Sequence, residues 1–176
     1  VIVQMGIQQE NMSFNALFNS LKAGPEDFVD NYDIEIIIAL LFHVILAVES
    51  TYEYPLAGDI LDGMTSEFAE HLVELGCNES DIKNALKLYH KRIGEYYEAE
   101  RNKAGDGPAY WLGKKFLENI TRPALSELIS KVDDHNKNKD LQLKMHFLIA
   151  YKYLFATFMG IKGPKGALGN YKIKYN

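Results

Sequence analysis

Thirteen consecutive positions, Ile36 to Val48 (IIIALLFHVILAV), are apolar except for His43. A helix that is apolar on every side has to be sheltered on every side. The run therefore predicts the central helix of an all-α, single-domain bundle of about six to seven helices, with the rest of the chain wrapped around it. Asp33 is the expected cap, the helix starts near Ile34 and reaches about Tyr52, and Pro55 stops it.

The remaining apolar positions recur at helical spacing. Phe14, Leu17, Phe18 and Leu21 form a stripe within 11–22, with Ser13 as a cap and Ala23-Gly24-Pro25 as a stop. A third helix is expected from Leu56 or Asp59 to Leu75, ending at Gly76. Its apolar side is Leu61, Met64, Phe68, Leu72 and Leu75, and its other side is acidic: Asp59, Asp62, Glu67, Glu70 and Glu74. The next helix is capped at Asn78 or Ser80 and runs to about Arg101. Ile82, Ala85, Leu86, Tyr89, Ile93, Tyr96 and Tyr97 face inward, and Lys83, Lys87, Lys91 and Arg92 line the outside. An acidic helix followed by a basic one invites attraction between an antiparallel pair, worth tenths of a kcal/mol per exposed contact.

Asn102 to Pro108 (NKAGDGP) breaks the pattern and is the one candidate hinge. Pro108 fits the first turn of the following helix, which contains Tyr110, Trp111, Leu112, Phe116, Leu117 and Ile120. A short helix follows Thr121-Arg122-Pro123, with Leu125, Leu128, Ile129 and Val132 inward. A polar stretch at 133–140 precedes an aromatic helix over 141–159. A weakly ordered tail is expected from about 161, with Lys162, Lys165, Lys172 and Lys174 interleaved with Tyr171 and Tyr175. Residues 1–176 read as one all-helical domain, without internal repeats.

Composition narrows the picture by exclusion. With 176 residues, 47% of them hydrophobic and 24% charged, the chain has enough apolar material for a core without disulfides or metals. A formal charge of −5 argues against general affinity for nucleic acid. A single cysteine, Cys77, excludes an internal disulfide. The apolar run is shorter than the roughly 20 residues that a bilayer demands, and Lys152 interrupts the other long apolar stretch. The N-terminal residues lack the features of a signal peptide. A soluble, cytoplasmic protein is expected.

Candidate chemistry is sparse, and nothing in the sequence calls for a cofactor. His43, inside the apolar run, is expected to be neutral and hydrogen-bonded to a backbone carbonyl or a tyrosine. With Tyr89, Tyr96, Tyr110, Trp111 and Tyr151 it forms the set from which an apolar pocket would draw its polar anchors. Glu49 with Glu53, and Glu67 with His71, stand at i, i+4 and are the candidate metal ligands. The Glu-x-x-His pattern of di-metal bundles is missing. So are a phosphate loop, a nucleophile elbow and a Cys-x-x-Cys pair. The leading expectation is a non-enzymatic interaction or regulatory domain acting through protein–protein contacts, with another protein or as a homodimer. A small apolar ligand bound between helices is the first alternative, and a metal-dependent helical enzyme the second.

Overall fold

The computed structural model describes residues 25–30, 32–74, 76–104, 107–130 and 146–155. Six α-helices make up most of this part: α1 Tyr32–Glu49, α2 Leu56–Glu74, α3 Glu79–Arg101, α4 Pro108–Ile120, α5 Pro123–Ser130, and α6 over 146–155. A 3-10 turn, Pro25–Asp27, precedes them. No strand occurs among the described residues; the one β-bridge there joins Phe28 to Thr121. The expected helix at 11–22, the polar stretch at 133–140 and the tail from about 161 lie outside the described residues, as do the ends of the expected 141–159 helix.

α1 is central. It packs against α2, α3 and α4, and α6 reaches it through Tyr151, whose ring lies 6.2 Å from that of His43. Ile38, Ala39, Phe42, His43, Ile45, Ala47 and Val48 are buried. The cover is nevertheless uneven. Ile37 is exposed, and Leu40, Leu41 and Val44, which share its side of the helix, are only half-buried. The helix also begins two residues before Ile34 and ends at Glu49, so Asp33 sits inside the first turn rather than capping it. The last turn closes with Ser50 and Thr51 hydroxyls donating to the Ala47 carbonyl. Serine and threonine bond helix carbonyls in this way, and α1 ends several residues short of Pro55.

Local chemistry explains the α2–α3 hairpin. Gly76 adopts φ 81°, a conformation that costs an L side chain but not glycine. The Gly76 and Cys77 amides then donate to the Val73 and Leu72 carbonyls, which is the Schellman closure of a helix end. Two residues later the Asn78 side chain accepts from the Asp81 amide and caps α3. Pro108 opens α4 as expected. Beside the break, the Trp111 indole N–H and the Gly107 amide both donate to the Ala104 carbonyl.

Two long-range closures hold the bundle. The chain entering α1 lies against the end of α4: the Val29 amide donates to Ile120, the Arg122 amide to Asp27, and the Arg122 guanidinium to the Phe28 carbonyl. On another side α6 packs so tightly on α4 that a Cβ added at Gly113 would lie 1.9 Å from the Phe147 carbonyl oxygen. Tyr110 meets the Phe147 ring edge-on at 5.2 Å beside it. The largest fully buried side chains, Tyr96, Tyr110, Phe42, Phe116 and Phe147, come from α1, α3, α4 and α6. α2 contributes only Ala57 to the buried set.

Candidate functional site

His43 is 1% exposed. Its Nδ1 lies 2.9 Å from the Ala39 carbonyl, an atom that can only accept, so Nδ1 holds the proton of the neutral ring. Burial pushes its pKa down to about 4, against the smaller opposing pull of that carbonyl. Phe42 meets the ring edge-on at 5.7 Å. Nε2 is then a buried acceptor without a hydrogen-bond partner among the described residues.

The aromatic residues singled out with His43 do not converge on one pocket among the described residues. Tyr89 meets Phe68 at a tilt, 5.6 Å between ring centres, on the α2 side. Tyr96 lies on Phe42, and burial first, opposed by the Asn119 amide, raises its phenol pKa above the ordinary value. Tyr110 sits between Trp111 and Phe147. Tyr151 stacks on Phe155, and burial, with Glu100 adding to it, raises its pKa. These rings are packing elements of the core in α1, α3, α4 and α6. Trp111 reaches a cleft of about 210 Å³ between α3 and α4, lined by Glu95, Glu98, Asn102, Lys114, Lys115 and Glu118 besides. The cleft is strongly charged, with Lys114 lying 5.4 Å over the Trp111 ring and Lys115 paired to Glu118. An apolar ligand has little to recognise there.

The four candidate metal ligands are not gathered. Glu49 accepts a 2.7 Å hydrogen bond from the Tyr97 hydroxyl. Glu53 was expected one helical turn beyond it, but α1 ends at Glu49 and Glu53 lies exposed in the connection to α2. Glu67 and His71 are exposed on the outer side of α2, where His71 Nδ1 lies 3.4 Å from Glu74. Among the described residues no group of three or more His, Cys, Asp or Glu is placed to hold a metal ion.

One polar constellation went unread in the sequence. Glu35, 2% exposed in the first turns of α1, receives the Arg92 guanidinium in a fork: Nε at 2.9 and 2.8 Å from its two oxygens, and Nη2 at 2.6 Å. Arg92 Nη1 donates to Glu95 at 2.8 Å. Burial opposes the arginine charge, yet the two carboxylates outweigh it and hold the guanidinium pKa above its ordinary value. Arg92 was expected on the outside with the lysines; it instead turns inward. Its spacing contained the signal, three residues after Tyr89 and four before Tyr96 on the buried stripe. The network ties α1 to α3, and through Glu95 it borders the α3–α4 cleft.

Among the described residues, the outer side of the α2–α3 hairpin is exposed. Asp59, Asp62, Glu67 and Glu70 on α2 and Lys83 and Lys87 on α3 are exposed, and none forms an ion pair across the two helices. Lys91 pairs at 3.8 Å with Glu95 on its own helix. Tyr54 is 87% exposed just before α2, and Val73 is 60% exposed near its end. No helix among the described residues is long and apolar enough to cross a membrane. Comparison of the chain with protein-family models, with curated proteins and with solved structures finds no match.

Proposed function

We propose that the protein is a non-enzymatic helical interaction domain, working in the cytoplasm through protein–protein contacts made by the outer side of α2. The observation behind this reading is the placement of α2. In a bundle whose other long helices supply large buried side chains, it is a 19-residue helix with one buried residue. It displays a continuous acidic side, with an exposed tyrosine just before it and an exposed valine near its end. Amphipathic helices laid on a core offer their outer side to a partner at little cost to the fold, and exposed aromatic residues are preferred anchors of such contacts.

Affinity capture with the intact chain, beside a Tyr54→Ala/Val73→Asp double variant of unchanged helicity, tests the reading. A stoichiometric co-purifying chain that the variant loses is the expected result. Identical profiles for the two baits overturn it.

A further inference from the structure

The two charged sides of the hairpin match each other. On α2 the acidic side lies opposite the stripe of Ala57, Leu61, Met64 and Phe68. On α3, Lys83, Lys87 and Lys91 recur at i, i+4, i+8, opposite Tyr89, Tyr96 and Ala99. Lys91 is already paired to Glu95 on its own helix, and among the described residues Lys83 and Lys87 are free of any ion pair across the hairpin. Both helices pack on α1 and on each other, so both charged sides face away from α1.

Their levels also agree. At a rise of about 1.5 Å per residue, Lys83, Lys87 and Lys91 lie about 6, 12 and 18 Å along α3 from its start at Glu79. Counted back from the end of α2 at Glu74, Glu70, Glu67 and Asp62 lie about 6, 10 and 18 Å from the same turn. A twofold axis running along the hairpin keeps every level unchanged while exchanging the two helices. It lays the acidic side of α2 on the basic side of the second copy's α3, and the reverse, as an isologous contact requires. Val73, at the margin of the acidic side, is covered by the same contact.

We infer that this face takes a second copy of the chain, in an electrostatically registered dimer with antiparallel α2–α3 pairing across the axis. The inference rests on reading the protein as an interaction domain and names its partner. Such a contact gains more in orientation and selectivity than in strength. It is therefore salt-sensitive, because exposed charge pairs are screened within about 8 Å at physiological ionic strength.

Sedimentation equilibrium of the purified intact chain tests it, with Lys83→Glu/Lys87→Glu and Glu67→Lys/Glu70→Lys as variants and circular dichroism to verify their folding. The wild type is expected to dimerise, with dissociation at least tenfold weaker in 500 mM than in 50 mM salt. Each variant alone is expected to lose at least tenfold in affinity. An equimolar mixture of the two restores a dimer, because both contacts are again between opposite charges. A dimer indifferent to salt and to both reversals, or variants that fail to rescue each other, overturns this face while leaving self-association in place. A wild type that stays monomeric at every concentration overturns the second copy as partner, whereas the capture experiment still reports on a different one.

Discussion

α1 and α2 are nearly equal in length, at 18 and 19 residues, and lie against each other, yet the fold uses them in opposite ways. α1 has eight buried residues, including Glu35 and His43, and touches four other helices. α2 buries one alanine and leaves its charges to solvent. The difference separates two kinds of constraint. Positions on α1 answer to packing and to satisfaction of buried polar atoms; positions on α2 answer to whatever meets the outer surface.

The strongest way to break that contrast is to remove the same ring from both helices. Phe42→Ala empties a fully buried site at the junction of α1 with Tyr96 and Tyr97 and is expected to cost about 3–5 kcal/mol of stability. Phe68→Ala, on a half-buried position of α2 against Tyr89, should cost less than half as much, because the site already borders solvent. Urea melts of the two variants measure the difference, and equal losses erase the distinction.

Next in size is the ion network. Arg92→Ala strands the Glu35 carboxylate in the core, which costs about 3–4 kcal/mol. Replacing both partners by apolar residues, as in Glu35→Leu/Arg92→Met, is expected to recover most of the loss, since no charge is then left unpaired. A double-mutant cycle in denaturant reads the coupling directly. If the paired replacement is as damaging as the single one, the network does more than compensate its own desolvation.

His43 supplies a smaller, pH-dependent member of the series. Its folded pKa of about 4 lies below the ordinary 6.5, so the unfolded chain binds the proton more readily between those values. Stability from this group is fully present above pH 6.5 and is lost as pH falls towards 4, amounting to about 2 kcal/mol by pH 5. The melting temperature of the wild type should therefore fall more between pH 7 and pH 5 than that of His43→Leu. Parallel curves would show that the imidazole does not stay neutral in the fold. The least effect is expected on α2: Asp62→Asn with Glu70→Gln should shift the stability of the chain by less than about 0.5 kcal/mol, as exposed polar changes do. Thermal melts at low protein concentration measure it.

The sequence was informative wherever one helix is enough to decide. The 13-residue apolar run, the helix stop at Gly76, the Asn78 cap and the Pro108 start all express the chemistry of neighbouring residues. So does the burial of His43 on the Ala39 carbonyl. Partners distant along the chain were not legible. Glu35 and Arg92 are 57 residues apart, and nothing in either segment names the other. The metal reading did not assemble for a nearby reason: Glu49 and Glu53 share a helix face only if α1 continues past Glu49, and it ends there. The aromatic residues stand out as a set in the sequence, but periodicity does not say whether rings surround a space or fill it.

The staple between residues 27–30 and 120–122 has a kinetic consequence. Its partners are more than ninety positions apart, as in the Arg122 contact to Phe28, whereas the hairpins between successive helices close over short spans. Closing a long loop costs entropy that grows only logarithmically with its length, but that cost falls before the contact returns anything. The joint is thus expected to form late on the folding route, and its release is expected to precede the spreading of the helices.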